Sequence, residues 1–424
     1  MSIQELHRIF MEYPTVSTDT RKITDRCLFF ALKGDNFDGN KYAKEAITKG
    51  ARYAIVDNSD YHVPGETILV EDVLKTLQEL GNYHRNYCPA KIIALTGSNG
   101  KTTTKELINA VLSKGYKTVA TKGNLNNPIG VPLTLLSITP ETELAIIEMG
   151  ANHILEIQFL CSLAEPDFGY ITNFGKAHIE GFGSAEGVII GKSELYQFLM
   201  GHMGTIFFNG DDPIQREKLK DYSKKSGFSQ VNTELYRIIN LGANPFVELE
   251  VNGTKIKSNL IGSYNFTNCS VAVLIGHYFK IPLSEIKNAI EGYQPQNNRS
   301  QIIHKNENQI ILDAYNANPT SMKAALENFD VMEAHHKIVF IGDMFELGET
   351  AAKEHQFIAD LAASSKFEKV YLIGENFYKT ESDLQKFRTF DELAKHLKNN
   401  PPKQASILIK GSRGMALERI LDII

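Results

Sequence analysis

The sequence predicts a multidomain α/β protein made of three units. The chain has 424 residues, about three times the roughly 150 residues of a typical domain. Short apolar runs of strand length alternate with helical stretches, an order typical of mainly parallel sheets covered on both faces. Hydrophobic residues make up 42% and charged residues 22% of the chain. This balance argues against a disordered or fibrous protein.

The first predicted domain covers residues 1–88. Its strand candidates are Cys27–Leu32, Ala54–Val56 and Thr67–Val70. A helical stretch at Tyr42–Lys49 separates two of these runs. A linker is predicted at Cys88–Ala90, because the residue before a proline is driven out of the helical region.

The second predicted domain covers residues 89–300 and the third covers residues 301–424. Strand candidates of the second domain are Lys91–Thr96, Leu144–Ile147, Phe168–Thr172 and Thr205–Phe208. Strand candidates of the third domain are Ile310–Leu312, Ile338–Ile341, Val370–Ile373 and Ile407–Ile409. The polar stretch Asn297–Ser300 predicts the boundary between them. Asn318 and Pro319 have the chemistry of a helix cap and a first helical residue.

Composition and charge argue against several classes of protein. The formal net charge is −5, and no long Lys/Arg run is present, so a nucleic-acid partner is not expected. The four cysteines lie far apart, which argues against zinc-ligand spacing and a dense disulfide framework. No signal peptide is visible, and no apolar run approaches the roughly 20 residues that span a bilayer. We therefore expect a cytoplasmic protein without membrane insertion.

The strongest chemical signal is a glycine-rich turn between a strand and a helix. After Lys91–Thr96 the chain reads Gly97-Ser98-Asn99-Gly100-Lys101-Thr102-Thr103-Thr104, and a helical stretch follows to about Leu112. Glycines let backbone N–H groups approach phosphate oxygens, while Lys101 would reach the β/γ-phosphates and the Thr102 hydroxyl would bind Mg²⁺. The general pattern G-x-x-x-x-G-K-[ST] is not met, since Leu95 stands where the first glycine belongs. An ordinary glycine turn with a surface lysine is the alternative, and the flanking strand and helix favour phosphate binding.

Further polar residues stand after predicted strands, where ligands of open parallel sheets bind. Glu148 closes one run, His178 follows another, and Asp313 ends a third. A lone Glu or His is more often a surface or capping residue than a metal ligand, and the position at a strand end favours a ligand role for Glu148 more than for His178. Asp313 is not explained by the cap at Asn318 and could accept hydrogen bonds from ribose hydroxyls. Lys192 taken alone reads as a solvated helix residue. The segment 410–414 is either an anion-binding turn or an ordinary glycine turn.

Together these motifs resemble the Mur ligases, the ATP-dependent amide-forming enzymes of peptidoglycan synthesis, over nearly the whole chain. The matching segments are Thr96–Thr103, Glu148–Ala151, Asn173–Glu180, Lys192–Tyr196, Gly262–Asn268 and Arg299. The resemblance implies a three-domain architecture. An N-terminal domain would bind the UDP-linked substrate, a central phosphate-loop domain would bind ATP, and the C-terminal domain would be Rossmann-like.

Two segments resemble one branch of the family in particular. Asp313–Pro319 and Gly342–Gly348 look like the ligases that add D-alanyl-D-alanine to UDP-N-acetylmuramoyl-tripeptide. The stretch Ser17–Arg21 looks like a uridine-side motif of that branch. The chain departs from the pattern at Asn40, where His is usual, and at Ile154-Leu155, which replaces a step that usually contains Gly.

The resemblance also implies roles for individual residues. ATP would be held by Gly97, Ser98, Asn99, Gly100, Lys101, Thr102, Thr103, Asn268, Arg299 and Asp313. Two Mg²⁺ ions would be held by Thr102, Glu148, His178 and Lys192, the last after carbamylation of its amine. Lys101, His178 and Lys192 are the catalytic candidates. The UDP-linked substrate would contact Asp19, Arg21 and Asn127.

The implied reaction activates a peptide carboxylate as an acyl phosphate, which the amine of D-alanyl-D-alanine then attacks. A monomer that closes by a hinge motion around ATP and substrate is expected. Two alternatives stay open. The first is another Mur-type or folylpolyglutamate-type amide ligase, which the segment 316–319 argues against. The second is a non-catalytic nucleotide switch, which would not need Glu148, His178 and Lys192 together.

Overall fold

The structure, a computed structural model, describes residues 1–295 and 298–424. Asn297, part of the polar stretch predicted as a boundary, lies outside the described residues. The described chain forms α/β units around mainly parallel sheets, which confirms the predicted fold class.

The N-terminal unit is a small parallel sheet with three helices. Its strands are β1 (Val16–Ser17), β2 (Leu28–Phe30), β3 (Lys33–Gly34), β4 (Phe37–Asp38), β5 (Tyr53–Val56) and β6 (Thr67–Leu69). Its helices are α1 (Ile3–Glu12), α2 (Ala43–Thr48) and α3 (Val73–Tyr87). Four strands pair in parallel in the order β1-β2-β5-β6, and β3 and β4 form a separate hairpin.

The central unit contains a seven-stranded parallel sheet and a smaller antiparallel one. The strands of the parallel sheet are β7 (Lys91–Thr96), β8 (Thr118–Ala120), β9 (Leu144–Glu148), β10 (Phe168–Ile171), β11 (Thr205–Asn209), β12 (Lys225–Ser229) and β13 (Tyr236–Arg237). Their order is β13-β12-β11-β10-β7-β9-β8. The antiparallel sheet, which was not predicted, consists of β14 (Ile239–Ala243), β15 (Phe246–Val251) and β16 (Thr254–Ile261). The helices are α4 (Lys101–Leu112), α5 (Gly130–Leu135), α6 (Glu156–Ala164), α7 (Ile179–Phe182), α8 (Ala185–Gly201), α9 (Pro213–Leu219), α10 (Asn265–Tyr278) and α11 (Leu283–Gly292).

Strand β7 explains why an unbroken apolar run marks the middle of this sheet. Ile93 and Leu95 pack into the core on the side of α4 and α10. Ile92 and Ala94 pack into the opposite core, on the side of α6 and α8. Both faces of the strand are therefore removed from water, so neither face can be polar. Helix α3 packs against α1 of the N-terminal unit and also against α5 and α6 of the central unit. Because α3 contacts both units, its packing does not define the domain boundary, and the predicted limit at residue 88 stays a prediction.

The C-terminal unit is a six-stranded sheet with one antiparallel edge. Its strands are β17 (Gln301–Lys305), β18 (Asn308–Asp313), β19 (Lys337–Gly342), β20 (Lys369–Ile373), β21 (Gln385–Phe387) and β22 (Ser406–Lys410). Its helices are α12 (Pro319–Val331), α13 (Ala351–Ser364), α14 (Glu375–Tyr378) and α15 (Phe390–Asn399). The strand order is β17-β18-β22-β19-β20-β21, and only β17 runs against its neighbour.

Helix α12 begins with the cap and the first helical residue that the sequence predicts. The side chain of Asn318 accepts a hydrogen bond from the N–H of Ser321, and Pro319 takes the first helical position. Within residues 1–295 and 298–424, no helix combines the length and the apolar character needed to cross a bilayer.

Candidate active site

A cavity of about 490 Å³ lies between the central and C-terminal units. It opens where β7, β9 and β10 end in the central sheet and where β18 and β22 end in the C-terminal sheet. The predicted site residues that line it are Ser98, Asn99, Gly100, Lys101, Thr102, Thr103, Asn127, Glu148, His178, Asn268, Arg299 and Asp313. Side chains distant in sequence thus meet at one edge, as expected for the carboxyl ends of parallel strands.

The glycine-rich turn after β7 is shaped by contacts that leave no room for a side chain. Gly97 has a φ of 136°, and a Cβ there would collide with the hydroxyl of Thr172. Gly100 precedes α4 with a φ of 79°, in the left-handed region that favours glycine. The first turn of α4 therefore begins at the cavity, with backbone N–H groups in position to bind an anion.

Lys101 is held back against the turn that precedes it. Its Nζ donates to the carbonyl oxygens of Gly97 at 2.8 Å and Ser98 at 3.3 Å. Burial lowers the pKa of Lys101, and the nearby Glu148 carboxylate offsets part of this effect. The amine of Lys101 thus lies at the mouth of an anion-binding turn and is partnered there by backbone oxygens.

Glu148, at the end of β9, has one partnered and one unpartnered carboxylate oxygen. Oε1 accepts a hydrogen bond of 2.8 Å from the amide of Asn126. Oε2 is buried and has no hydrogen-bond partner among the described residues. A buried carboxylate oxygen normally has a partner, so this atom marks a place for a ligand.

The donor set around Glu148 fits Mg²⁺. Glu148 and the nearby Thr102 both line the cavity and offer hard oxygen ligands. In the described part of the chain, no three His, Cys, Asp or Glu side chains are grouped as a metal site. A site with so few protein ligands suits Mg²⁺, because this ion usually keeps several waters and also binds substrate phosphates.

Lys105 supports the position of Glu148, a role that was not predicted from the sequence. Its buried Nζ donates to the carbonyl oxygen of Thr121 at 2.6 Å, and the hydroxyl of Thr121 accepts from the backbone N–H of Glu148 at 2.9 Å. Burial lowers the pKa of Lys105, and Glu148 again opposes the shift. A lysine one turn after Lys101 gives no signal in sequence that separates it from a surface lysine.

His178 precedes α7 and faces the C-terminal unit. Its backbone is left-handed, with a φ of 54°. Nδ1 lies 2.5 Å from Oε2 of Glu346, a residue of the C-terminal unit. Burial lowers the pKa of His178, Glu346 partly offsets the shift, and the lysines 101 and 192 add to it.

Lys192, on α8, is buried, so the interpretation of it as a solvated helix residue is wrong. Its exposed fraction is 1%. Nζ donates to the carbonyl oxygen of Ala151 at 2.8 Å and lies 4.8 Å from the ring centroid of Phe182. Burial, with help from Lys101, holds the pKa of Lys192 well below its usual value. Ala151 lines the cavity, so Lys192 sits directly behind its wall.

The other side of the cavity gathers an arginine, an aromatic ring and an acid. The guanidinium of Arg299 lies 3.6 Å from the ring centroid of Tyr315. Oδ2 of Asp313 pairs with Nζ of Lys410 at 2.5 Å, and Oδ1 accepts from the N–H of Ser300 at 3.1 Å. Lys410 is therefore committed to an intramolecular partner, which the anion-binding interpretation of segment 410–414 did not anticipate.

The predicted contacts to the UDP-linked substrate are not brought together. Asp19 and Arg21 pair with each other at 2.8 Å on the N-terminal unit and do not belong to the cavity lining. Arg21 holds the pKa of Asp19 down at about 2. Asn127 does line the cavity, but its Oδ1 accepts from the backbone N–H of Gly130 at 2.8 Å. Their roles stay predictions.

Three family models match consecutive parts of the chain. The Mur ligase family catalytic domain matches residues 12–94, the Mur ligase middle domain matches residues 95–276, and the Mur ligase glutamate ligase domain matches residues 298–413. Together they span the same order of units that the structure describes.

Two relatives that match over nearly their whole length carry the same name. The UDP-N-acetylmuramoyl-tripeptide--D-alanyl-D-alanine ligase of Bacillus subtilis is 34% identical over 420 residues, which cover 96% of this chain and 92% of that protein. The Escherichia coli protein of the same name is 33% identical, over 98% of this chain and 95% of that protein.

Solved structures share the whole architecture. A crystal structure of MurF from Acinetobacter baumannii has a TM-score of 0.86 and 29% identity, and the match covers 99% of this chain and 98% of that chain. A MurF ligase of Thermotoga maritima in complex with ADP has a TM-score of 0.83 at 24% identity, with 96% of each chain covered. The latter likeness supports the fold alone.

Proposed function

The chain belongs to the Mur ligase family, and on that premise we propose that it joins D-alanyl-D-alanine to UDP-N-acetylmuramoyl-tripeptide with consumption of ATP. One observation carries the proposal. The glycine-rich turn, the unpartnered oxygen of Glu148 and the Arg299–Tyr315 pair all line a single cavity between two domains. The relatives' shared name supplies the identity of the two substrates.

The chain's own residues bind and orient the reactants. The tripeptide carboxylate attacks the γ-phosphorus of ATP, the bond to the β-phosphate oxygen breaks, and ADP leaves. The dipeptide amine then attacks the acyl phosphate carbonyl, and phosphate departs with its electron pair while the amine loses a proton. Lys101 and the N–H groups of the turn neutralise the charge that develops on the phosphates. Asp313 offers oxygens suited to ribose hydroxyls.

Mg²⁺ would be held by Thr102 and Glu148, with a second ion near His178 and a carbamylated Lys192. When bound, Mg²⁺ neutralises phosphate charge and polarises the phosphoryl group. The low pKa of Lys192 favours a neutral amine, the form that adds CO₂ and loses a proton to give a carbamate. The carbamate of Lys192 would be an anion, whereas an ammonium group at the same position would repel the metal.

Carbon-13 NMR tests the carbamate directly. Wild-type protein in ¹³C-bicarbonate should show a carbamate resonance that is missing from Lys192→Ala, together with loss of ligase activity in that variant. Lys192→Ala with full activity and a wild-type spectrum would rule the carbamate out.

A product assay tests the function. Purified protein should release phosphate from ATP only when both UDP-N-acetylmuramoyl-tripeptide and D-alanyl-D-alanine are present, and should form the pentapeptide in equal amount. Single amino acids serve as control acceptors. Turnover with a single amino acid would indicate a different amide ligase, and ATP binding without substrate-dependent turnover would indicate a nucleotide switch.

Three further expectations accompany the proposal. We expect a monomer as the working unit, and light scattering measures this. Domain closure on ATP and substrate should reduce the radius of gyration in small-angle scattering. The cytoplasmic location expected from the sequence stays a prediction.

A further inference from the structure

Within the segment Gly342–Gly348, the side chain of Glu346 takes no part in the hydrophobic core. Oδ1 of Asp343 accepts the N–H of Phe377 at 3.0 Å, which fixes the start of α14. Met344 and Leu347 are buried in the core. Glu346, by contrast, has a side chain that is 54% exposed and contributes nothing to that core. Its place in the segment therefore needs another explanation.

Glu346 meets His178 across the boundary between the central and C-terminal units. Their Nδ1 and Oε2 atoms are 2.5 Å apart. Both residues have left-handed backbones, with φ values of 61° for Glu346 and 54° for His178. Each such conformation costs about 1–2 kcal/mol for a non-glycine residue. Strain of this kind persists where surrounding structure enforces it, and it concentrates at functional sites.

The loop that carries His178 is fixed to the C-terminal unit at further points. Nζ of Lys176 pairs with Glu354 at 2.9 Å, and the backbone N–H of Lys176 donates to the hydroxyl of Thr320 at 3.1 Å. Exposed ion pairs contribute little to stability. Neither Lys176 nor Glu354 lines the cavity, whereas His178, the partner of Glu346, does.

The imidazole has two nitrogens, and their environments differ. Nδ1 is buried next to the carboxylate, although its N–H is not aligned well enough for a hydrogen bond. His178 lines the cavity, and its ion pair with Glu346 is made through Nδ1, which leaves Nε2 outside that pair. A carboxylate at one nitrogen favours the proton there and leaves the other nitrogen as a ligand or acceptor.

We propose that Glu346 is a positioning residue: its carboxylate holds the proton of His178 on Nδ1 and fixes the ring, so that Nε2 remains free to act in the cavity. The inference rests on the proposed ligase function, because it assigns His178 to the phosphate site. It also gives the C-terminal unit a direct part in forming that site.

The variants Glu346→Gln and Glu346→Asp test this role against a matched control. Glu349→Gln removes an exposed acid three residues away, whereas the ion pair of His178 is made with Glu346. We expect Glu346→Gln to lower kcat by about 10- to 100-fold, as is usual for residues that orient a ligand. The KM for ATP should stay near the wild-type value, and Glu346→Asp should recover part of the activity. Glu349→Gln should behave as wild type.

A double variant separates positioning from a general structural effect. If Glu346 acts through His178, then Glu346→Gln should cause no further loss of kcat in a His178→Ala background. Full additivity of the two losses would overturn the inference, and so would a wild-type kcat in Glu346→Gln.

A spectroscopic readout makes the test independent of turnover. In ¹⁵N-histidine NMR of the protein without ligands, His178 should be protonated on Nδ1 in the wild type and should shift toward the Nε2-protonated form in Glu346→Gln. An unchanged tautomer would overturn the inference even if the ligase assay succeeds. If the wild-type protein fails to form pentapeptide, but His178 still changes its tautomer in Glu346→Gln, the result would contradict the proposed function instead.

Discussion

Replacement of Gly100 by alanine should damage the phosphate turn in a way that can be calculated from its surroundings. A Cβ on Gly100 would lie 2.7 Å from Oδ1 and 3.0 Å from Nδ2 of Asn268. Asn268 cannot retreat freely, because its Oδ1 accepts from Thr104 at 3.0 Å and its Nδ2 donates to Asn265 at 2.7 Å. The methyl group must therefore displace the turn, Asn268, or both.

Two costs add up in Gly100→Ala. The left-handed backbone at a φ of 79° costs an L-residue about 1–2 kcal/mol. Overpacking against a fixed side chain costs roughly 1–3 kcal/mol more. Gly253 provides a matched control, since its φ is 76° and nothing lies within 4 Å of its Cβ position. Gly253→Ala should therefore carry only the first cost.

Calorimetry and nucleotide binding measure the two variants. For a domain of this size, each kcal/mol lowers Tm by about 2–4 °C, so Gly100→Ala should melt below Gly253→Ala. The affinity for Mg·ADP should fall at least about tenfold, or 1.4 kcal/mol, in Gly100→Ala only. Equal Tm values in the two variants, with unchanged ADP affinity in both, would refute the reasoning.

Two further predictions concern buried charge. Asp313→Ala leaves the 3%-exposed Lys410 side chain without its carboxylate and should destabilise the protein by about 3 kcal/mol. In denaturant unfolding, Asp313→Ala/Lys410→Met should regain most of that loss, and no regain would contradict the ion-pair explanation. Burial lowers the pKa values of both His7 and His84, so the unfolded chain binds more protons. Stability should be full above the unfolded pKa of about 6.5 and should fall as pH drops toward the folded values. The Tm loss between about pH 7.5 and 5.5 should be larger in wild type than in His7→Gln, and equal losses would count against this linkage.

Sequence reasoning succeeds where local chemistry decides the structure. The strand Lys91–Thr96 is buried on both faces, so its apolar run is unbroken, and the predicted and observed limits agree. The helix that ends at Leu112 and the cap at Asn318 are set by neighbours within four residues. Such features need no knowledge of the rest of the fold.

Features that depend on contacts between distant parts of the chain could not be predicted from the sequence. Lys192 is buried because Gly191 lets the ring of Phe182 approach α8. Helix α8 shows no distinct polar face, so its sequence does not indicate which of its side chains are buried. The contact between His178 and Glu346 joins residues that are 168 positions apart (346 − 178 = 168). The family resemblance supplied a prediction that spacing alone could not, namely that Lys192 lies near the reaction.

The resting position of Lys101 bears on how fast the enzyme can turn over. A phosphate that captures its ammonium must first displace the carbonyl oxygens of Gly97 and Ser98. Hydrogen bonds to a charged group contribute about 1.5–3 kcal/mol each. The turn would therefore compete with ADP for the Lys101 side chain. If Lys101 binds the nucleotide as proposed, substrate would be bound less tightly in consequence and ADP would depart sooner, because the protein itself would take over the contacts that the product gives up.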